Sequence, residues 1–457
     1  MKHLPINKTI KQFASIFKEN GYDLYIVGGA VRDYILNIEN DDYDFATNAT
    51  PENVISIFRT TIPTGIKHGT VTVMFNGNSY EVTTYRTEFD YKDGRRPEKV
   101  EFVRSLDEDL KRRDFTINAL AADATTGIII DNHDGINDLK KKVIKAIGVP
   151  QQRFEEDGLR IMRACRFASK LNFDVEENTL IAMKEKSENI KNVSYERIKD
   201  ELFKLINGQN PTKGLELLDQ CSILEIILPE LAKLKGIKQG GYHKFDAYTH
   251  TLKSIQAAAD LKYPLEIRLA ALFHDLGKAN TQKLDPTRHS MYDLESYSFY
   301  DHETIGAKIA KEVLTRLKAS NQQIDYICNL VQNHMFNYQH FWSDGAVKRF
   351  INRVGYENIN DLFLLRMCDQ LATFDKASWD SVRELEQRIE TIIKKQEALS
   401  LKDLAINGQD LINLGIEKGP LFSQILNYLL NAVLDDPKLN ERDTLLNIAH
   451  NYYKSLN

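Results

Sequence analysis

The sequence Gly28-Gly29-Ala30-Val31-Arg32-Asp33, followed closely by Asp42-Tyr43-Asp44, decides the fold of the first part of the chain. Alternate residues of a strand point to the same side, so the side chains of Asp42 and Asp44 can converge on one hard cation. The two glycines allow backbone N–H groups to approach a polyanion closely, and Arg32 can donate paired hydrogen bonds to phosphate oxygens. Together these motifs predict a site for magnesium and a nucleoside triphosphate.

Each motif alone has a simpler explanation. A Gly-Gly pair is usually a turn, and an Asp-x-Asp pair is usually a solvated strand end. Their close succession favours the functional interpretation, and further motifs strengthen it. Glu81 lies on a predicted strand and is a candidate third acid beside Asp42 and Asp44, although it could also be a plain surface acid. Three carboxylates with phosphate oxygens and water suffice for two magnesium ions.

Composition indicates a multidomain, water-soluble protein. The chain has 457 residues, of which 42% are hydrophobic and 27% are charged, so several cores are expected rather than one. It has no apolar run of about eighteen residues, and its first residues lack the features of a signal peptide. The four cysteines show no Cys-x-x-Cys spacing, which predicts reduced thiols and a cytoplasmic location.

The charge distribution favours a localised contact with phosphates. The net charge is −5, yet residues 138–170 contain nine Lys or Arg and four Asp or Glu. A basic segment on a mildly acidic chain is typical of local phosphate binding, although a solvated surface segment would look the same.

Periodicity divides the chain into an α/β part and a helical part. Residues 8–20 have helical spacing and end at Gly21, and strands are predicted at Leu24–Val27, Thr70–Phe75, 80–85 and 100–103. Long helical patterns dominate beyond Arg153, with breaks at 207–211 and at Gly240-Gly241. The predicted fold class is therefore α+β, with a small, mostly antiparallel sheet first and helices after it.

Two further segments could contact a nucleotide. On a short helix, Asp114 and Asn118 would share one face, where they could bind ribose hydroxyls and a base edge; capping would also explain them. If Asp157 and Arg160 lie on one helix, their i,i+3 spacing places them together. A carboxylate beside a guanidinium could read a cytosine or an adenine, and the alternative is a plain ion pair within the helix.

At this point the sequence resembles class II tRNA nucleotidyltransferases, the family of CCA-adding enzymes and bacterial poly(A) polymerases. The matching motifs occur in the family's order over about the first 205 residues: GGAVRD (28–33), DYD (42–44), HGTVTV (68–73), EVTTYR (81–86), RRDFTINAL (112–120), EDGLRIMRACRF (156–167) and ERIKDEL (196–202). The resemblance implies a polymerase-β-like head. By it, Asp42 and Asp44 bind the catalytic metals, with Glu81 as the third catalytic acid.

The resemblance also implies the nucleotide-binding residues. Arg32 would contact the triphosphate, Arg112 and Asp114 would lie near the ribose, and Asp157 with Arg160 would act as a protein template for CTP and then ATP. Arg95-Arg96 match a loop involved in switching from C to A addition. The full expected nucleotide-binding set is Gly28, Gly29, Arg32, Arg112, Asp114, Asn118, Asp157, Arg160, Arg163 and Arg166.

The helical half contains a second set of metal-ligand residues. Adjacent His274 and Asp275 can offer an imidazole and a carboxylate to one cation, and further histidines favour a transition metal. The pattern resembles HD-domain metal-dependent phosphohydrolases. That resemblance implies first-metal ligands at His250, His274, Asp275 and Asp369, with His302 and His334 for a second ion. The cation would be Mn²⁺, Ni²⁺, Co²⁺ or Mg²⁺; the activity is a hypothesis, and a structural or vestigial metal site is its alternative.

The expected organisation is a catalytic head (1–137), a helical neck and body for base selection (138–240), an all-α HD domain (241–378) and a helical tail (379–457). The expected function is CCA addition to tRNA 3′ ends from CTP and ATP, with Mg²⁺ at the head and no membrane. A-only addition or poly(A) polymerisation remains an alternative within the enzyme class, whereas the segment 93–96 argues against CC-only addition. From other classes, a non-catalytic tRNA-binding protein and an HD hydrolase with a regulatory head remain alternatives.

Overall fold

The computed structural model of the protein describes residues 3–66, 69–89, 99–103, 105–287, 291–292, 295–374, 376–395 and 399–456. The chain forms two compact units. The first contains residues 1–232 together with 316–318, and the second contains residues 233–315 and 319–457. The finer division into four domains stays a prediction.

The first unit begins with a sheet and continues as helices. Its strands are β1 Leu24–Val27, β2 Asp44–Thr47, β3 Thr61–Gly65, β4 Thr70–Phe75, β5 Asn78–Thr84, β6 Arg86–Phe89, β7 Lys99–Phe102, β8 Ala121–Asp123, β9 Ile129–Ile130, β10 Val143–Ile144 and β11 Asp174–Val175. Its helices are α1 Lys8–Glu19, α2 Gly29–Ile35, α3 Pro51–Ile57, α4 Leu106–Lys111, α5 Gly135–Lys141, α6 Pro150–Glu156, α7 Leu159–Leu171, α8 Glu177–Glu185, α9 Tyr195–Ile206, α10 Pro211–Gln220, α11 Leu224–Ile227 and α12 Pro229–Ala232.

The main sheet has the strand order β3-β4-β5-β2-β1-β8-β9. Five of its pairings are antiparallel, and only β2 and β5 run parallel. The expectation of a mostly antiparallel sheet is therefore confirmed. The parallel exception matters most for function, because it sets the register between the two strands that carry or adjoin the predicted acids.

An aromatic cluster fixes α1 against this sheet. The ring of Phe13 on α1 lies 4.9–5.4 Å, centroid to centroid, from five other rings, those of Phe17, Phe45, Phe58, Phe75 and Tyr80. Phe45 is fully buried in this cluster. Because successive strand residues alternate between faces, its neighbour Asp44 points to the opposite side of the sheet. Burial of the aromatic face thus directs the acid away from the core.

The second unit is mostly helical. Its elements are α13 Ala247–Asp260, α14 Leu265–Phe273, α15 Lys278–Thr281, β12 Lys283–Leu284, β13 Tyr297–Ser298, α16 His302–Arg316, α17 Asn321–Asn333, α18 Asp344–Val354, α19 Ile359–Phe374, α20 Asp380–Lys394, α21 Gly408–Asn413, α22 Pro420–Asp435 and α23 Arg442–Leu456. The two-residue pair β12–β13 was not expected in an all-α region. Near the C-terminus, α21, α22 and α23 share an apolar core around Leu411, Leu429 and Leu445.

The predicted breaks agree with the structure. Helix α1 ends at Glu19, just before Gly21, and α9 ends at Ile206 before α10 begins at Pro211. In the described part of the chain, no helix is both long and apolar enough to cross a membrane. The cytoplasmic location stays a prediction.

Candidate active site

The parallel pairing of β2 with β5 brings the predicted acids together. Asp44, the first residue of β2, lies opposite Glu81 of β5 in the parallel register and opposite Val27 at the end of β1. Asp42 lies two residues before Asp44, where its backbone N–H donates to Oδ1 of Asn40 at 2.8 Å. Three acids from two segments therefore meet at one end of the sheet, beside the turn that follows β1.

The neighbouring acids affect the protonation of Asp44. The pKa of Asp44 is raised first by partial desolvation and then by repulsion from Asp42 and Glu81, while the guanidinium of Arg113 acts in the opposite direction. Repulsion between carboxylates is relieved when a cation binds among them. The ligand sets within 4.8 Å that the described residues form lie elsewhere, so these three acids are spaced more openly.

Gly28 allows an arginine to approach the turn. Its backbone has φ +68°, and a Cβ atom at this position would lie 3.0 Å from Nη1 of Arg113. Arg113 donates to the backbone oxygen of Asn118 and to Asp109, each at 3.4 Å. Gly29 begins α2, and a Cβ atom there would have its nearest neighbour 3.7 Å away. Both glycines lie beside a guanidinium, Gly29 beside that of Arg32, but only at Gly28 would a Cβ atom be closer than ordinary van der Waals contact.

Arg32, predicted to contact phosphate, is buried in the protein. It is 5% exposed, and its guanidinium donates to Oδ1 of Asp33 and to Oδ1 of Asn118, each at 2.7 Å. These bonds fix α2 to the turn that contains Asn118. The predicted contact of Arg32 with a triphosphate stays a prediction.

Asp114 and Asn118 are close, but not because they share a helix. The 3₁₀ turn Thr116–Asn118 starts after Asp114, and the intervening Phe115 is extended, so the predicted short helix is wrong. Nδ2 of Asn118 nevertheless donates to Oδ1 of Asp114 at 3.1 Å. Burial alone would raise the pKa of Asp114, yet Arg163 and the hydrogen bonds from Asn118, Arg163 and the Phe115 backbone hold it at about 2.

Residues of helices α7 and α9 extend this series of polar contacts beyond Asp114. Nη2 of Arg163 lies 2.6 Å from Oδ2 of Asp114, and its Nη1 lies 3.8 Å from Glu201 of α9. Glu201 also pairs with Nε of Arg166 at 2.6 Å, and Arg166 lies 4.0 Å above the ring of Phe167. Both arginines that were predicted to bind nucleotide are therefore held by acids of the protein.

The predicted shared helix face of Asp157 and Arg160 is wrong. Asp157 is extended, with φ −150°, and lies between α6 and α7. It pairs with Nη2 of Arg197 at 2.6 Å, whereas Arg160 pairs with Glu156 and donates to the backbone oxygen of Arg112 at 3.0 Å. The alternative of an ion pair between Asp157 and Arg160 is also not observed. Each side chain is instead oriented by a separate partner.

The helical unit contains a buried histidine centre organised around Asp275. Oδ2 of Asp275 lies 3.6 Å from Nε2 of His250 and 3.2 Å from Nε2 of His274. Oδ1 lies 3.6 Å from Nε2 of His302 and 3.9 Å from Nε2 of His334. The two oxygens of one carboxylate thus face two histidine pairs. These residues form two overlapping candidate metal-ligand sets that share Asp275.

Backbone contacts fix the histidine tautomers. Nδ1 of His274, His302 and His334 lies 2.7–2.8 Å from the backbone oxygens of three residues in the preceding turns. A carbonyl can only accept, so each Nδ1 carries a proton, and in the neutral ring the lone pair then lies on Nε2. The Nε2 atoms of His302 and His334 face each other at 3.3 Å. Two opposed lone pairs repel unless a cation lies between them, so this donor set fits a divalent metal ion.

Charges around the centre act on its ligands in different directions. Burial, followed by repulsion from His274 and His302, lowers the pKa of His334 to about 3. Burial would also lower the pKa of His274, but Asp275 and then Asp369 raise it overall. Burial would raise the pKa of Asp275, but His274 and Lys278 hold it well below its ordinary value. Since an imidazole ligates a metal in its neutral form, an ion bound here would compete with a proton at His274.

Asp369, the fourth expected ligand of the first ion, lies next to His250 but outside the two sets. Oδ1 of Asp369, on α19, lies 3.1 Å from Nε2 of His250, and Arg366 orients its other oxygen at 3.0 Å. A cavity of about 670 Å³ opens above the centre and is lined by Asp275, His302, His334 and Asp369, among others. All six predicted ligands therefore lie together at or beside one cavity.

Comparison with known proteins identifies similar families and relatives along most of the chain. Residues 24–145 match the family described as Poly A polymerase head domain, residues 172–235 match the probable RNA and SrmB-binding site of polymerase A, and residues 299–449 match tRNA nucleotidyltransferase domain 2. The CCA-adding enzyme of Ligilactobacillus salivarius is 34% identical over 455 residues, which cover 98% of this chain and 95% of that protein. The chain belongs to the CCA-adding enzyme family.

Other relatives agree with this placement. The CCA-adding enzyme of Limosilactobacillus reuteri is 52% identical over 246 residues, which cover 50% of this chain and 61% of its own length. The crystal structure of the Bacillus stearothermophilus CCA-adding enzyme in complex with CTP is 28% identical, with a TM-score of 0.72 over 100% of this chain and 99% of that one. The expected α+β fold is confirmed, and this CCA-adding family member is a tRNA nucleotidyltransferase.

Sequence reasoning missed three cations of these sites. Arg113 stands next to the predicted Arg112 but is the one that approaches Gly28; Arg197 lies in the 196–202 motif; Lys278 donates to Asp275 at 2.7 Å. Arg113 and Arg197 belong to motifs quoted above, and Lys278 follows His274-Asp275 by three residues, but the sequence does not show which acid each one contacts. The residues Lys67 and His68 and the predicted switching loop with Arg95-Arg96 lie outside the described residues.

The two glycines provide a matched test of the turn. We expect Gly28→Ala to reduce CTP incorporation by about tenfold or more, because a side chain at positive φ is strained and its Cβ displaces Arg113. Gly29→Ala, at a position with ordinary φ and no close contact, should retain most of the activity. Initial rates on tRNA lacking CCA, with circular dichroism to verify folding, measure both. Equal losses in the two variants would contradict the assigned role of Gly28.

Proposed function

We propose that the head adds C, C and A to tRNA 3′ ends from CTP and ATP without a nucleic-acid template. The main support for this proposal is the parallel register that places Asp44 opposite Glu81, with Asp42 two residues before Asp44. The likeness to the CTP complex of the Bacillus stearothermophilus enzyme supports the choice of nucleotide. A-only addition and poly(A) polymerisation are the alternatives that the experiment below separates.

Different residues of the head are proposed to have different roles in phosphoryl transfer. Two divalent ions, Mg²⁺ by the chemistry of carboxylate ligands, would favour the attacking 3′-oxygen and the departing pyrophosphate when bound. Asp42, Asp44 and Glu81 are proposed to hold them. The backbone of the turn at Gly28 and the cations near it, Arg113 first, position the negatively charged triphosphate.

Base selection is proposed to lie at Asp157 and Arg160. Arg197 orients the carboxylate of Asp157, and Glu156 with the backbone of Arg112 orients the guanidinium of Arg160. Side chains that are fixed by such partners can present hydrogen-bond acceptors and donors to a base edge at low entropic cost. Asp114 and Asn118, already bonded to each other, would contact the ribose.

The order of nucleotide addition tests the proposed specificity. With tRNA that lacks CCA, CTP alone should add two residues, ATP alone none, and both together three, because A is accepted only after the two C residues. Gel analysis at single-nucleotide resolution measures the products. Addition of A without prior C, or long A tracts, would replace the proposal with one of its alternatives.

Adjacent aspartates provide a matched test of the catalytic acids. Asp42→Ala should lower incorporation by at least about 10³-fold while tRNA affinity stays within about twofold, because the loss affects charge stabilisation and not the fold. Asp41→Ala removes an equally exposed carboxylate next to it and should leave the rate nearly unchanged. Normal turnover by folded Asp42→Ala protein would refute the site assignment.

We further propose that the histidine centre is a metal-dependent phosphohydrolase. The observation in favour is the bridging position of Asp275 between two histidine pairs. Bound divalent ions would polarise a phosphoester and activate water. His250, His274, Asp275 and Asp369 are proposed to hold one ion, and Asp275, His302 and His334 the other, with Mn²⁺, Ni²⁺, Co²⁺ or Mg²⁺ as the candidates.

Metal stoichiometry distinguishes a shared bridge from separate sites. Asp275→Asn should lose both ions, since its two oxygens serve both sets, whereas His334→Gln should lose only one. Elemental analysis after dialysis against Mn²⁺, without nucleotide, measures the bound metal. Loss of one ion from Asp275→Asn, or of both from His334→Gln, would contradict the proposed bridge.

An assay with a 2′,3′-cyclic phosphate tests the hydrolase activity itself. Hydrolysis by the wild-type protein that is lost in His274→Ala, while CCA addition persists, would assign the activity to this centre. Absence of hydrolysis with all four metals would favour a vestigial site.

A further inference from the structure

One side chain holds the segment that carries Asp42. Residues 39–43 lie between α2 and β2 and form neither helix nor strand. Within the described ranges, the only hydrogen bonds of this segment are the two that the side chain of Asn40 makes. Because no backbone ladder restrains the segment, the position of Asp42 depends on what Asn40 contacts.

The amide of Asn40 joins two partners of opposite polarity. Its Nδ2 donates to Oδ2 of Asp33 at 3.0 Å, and its Oδ1 accepts from the backbone N–H of Asp42 at 2.8 Å. An ionised carboxylate can only accept and a backbone N–H can only donate, so the two partners fix the orientation of the amide. An aspartate of the same length would instead turn a second carboxylate toward Asp33.

The bond to Asp33 distinguishes this arrangement from an ordinary Asx turn. A side-chain oxygen that accepts from the N–H two residues later is common in connecting segments. Asp33, in contrast, is 3% exposed, and its Oδ1 accepts from Nε of Arg32 at 2.7 Å. Its Oδ2 also lies 3.7 Å from Nζ of Lys170 on α7. Asn40 thus links the exposed Asp42 to the buried polar contacts of the first unit.

Packing adds little to this restraint. A cavity of about 300 Å³ opens beside the segment, and Ile38, Glu39, Asn40 and Tyr43 are among the residues that line it. The side chain of Ile38 is 40% exposed. A segment with few buried apolar contacts opens easily unless hydrogen bonds hold it. The two bonds of Asn40 are therefore the main restraint on the backbone at Asp42.

We propose that Asn40 is a positioning residue for Asp42 in nucleotide addition. It bonds the backbone of Asp42 and not its carboxylate, which stays available to a metal ion. This inference rests on the proposed role of Asp42 as a metal ligand. Residues that orient a metal ligand without touching the ion typically contribute about 10- to 100-fold to metal affinity or activity.

Hydrogen exchange tests the restraint without metal and without turnover. In the full-length protein in EDTA, Asn40→Ala should speed amide exchange in the peptide that covers residues 39–43 about tenfold, because the N–H of Asp42 loses its acceptor. Exchange in β1 should not change. Glu39→Ala, which removes an exposed side chain next to Asn40, is the matched control and should leave exchange in both peptides within about twofold of wild type.

The magnesium requirement of nucleotide addition supplies the second measurement. With tRNA that lacks CCA and saturating CTP, Asn40→Ala should raise the half-saturating concentration of free Mg²⁺ about tenfold, because the ion must then order the segment as it binds. Saturating Mg²⁺ should restore the rate to within about threefold of wild type. The Glu39→Ala control should keep the wild-type requirement.

Two further variants separate a bridge to Asp33 from a local turn. Asn40→Asp keeps an acceptor for the N–H of Asp42 but places a carboxylate against that of Asp33, so its magnesium requirement should also rise. Asn40→Gln keeps both the donor and the acceptor on a longer side chain, and its requirement should lie closer to the wild-type value. Circular dichroism verifies the folding of each variant, and Asn40→Asp decides the same question if Asn40→Ala does not fold.

The outcomes separate this proposal from the one on which it rests. Unchanged exchange and an unchanged magnesium requirement in folded Asn40→Ala, or a wild-type requirement in Asn40→Asp, would overturn the positioning role and leave Asp42 as a metal ligand. A reduced rate that saturating Mg²⁺ does not restore would overturn it as well, since that loss would be structural. Normal turnover by Asp42→Ala would refute the metal site itself, whatever the Asn40 variants show.

Discussion

A buried charge must have a partner, and in the first unit this requirement produces one continuous polar chain. Arg32 bonds to Asn118, Asn118 bonds to Asp114, and Asp114 pairs with Arg163 on α7. Breaking one link would leave an uncompensated charge or an unsatisfied amide in a region with little water, which costs far more than a surface contact. This series of polar contacts therefore fixes the turn after β1, the 3₁₀ turn and α7 relative to one another. The acids near the start of β2 can remain exposed and repel one another because these hydrogen bonds and ion pairs hold the neighbouring segments in place.

The same requirement explains the orientation of the two residues that are proposed to select the base. Asp157 and Arg160 each have their own partner, Arg197 and Glu156, and therefore do not neutralise each other. An ion pair between them would have consumed the donors and acceptors that a base edge needs. By separating them, the break between α6 and α7 leaves each group oriented by its own partner. We infer that this break is a functional feature of the family member and not an irregularity of its helices.

Local features of the two sites were predictable from the sequence, and long-range pairings were not. His274 and Asp275 are adjacent, and adjacent residues after a helix such as α14 remain close in any fold. The parallel pairing of β2 with β5, and the division of the histidines between the two oxygens of Asp275, depend on chain paths that no local pattern records. The helix predicted through 157–160 is interrupted at the extended Asp157. At the next residue, Gly158, a Cβ atom would lie 2.5 Å from the backbone oxygen of Asn189. Such a close approach of two distant backbones is equally invisible in sequence spacing.

The two centres differ in how completely they are built before a cation arrives. His274, Asp275, His302 and His334 are each less than 5% exposed, and their ligand atoms already lie within 4.8 Å of one another in two sets. The three acids of the head are exposed and more widely spaced. A desolvated site whose ligands are already in place needs little rearrangement to bind an ion, so it binds the ion tightly. An exposed group of carboxylates needs further oxygen ligands from outside the protein. An ion held at the proposed histidine centre would therefore stay bound through many turnovers. At the head, the triphosphate would complete the ligand set, so the ions there would arrive with the nucleotide and leave with pyrophosphate.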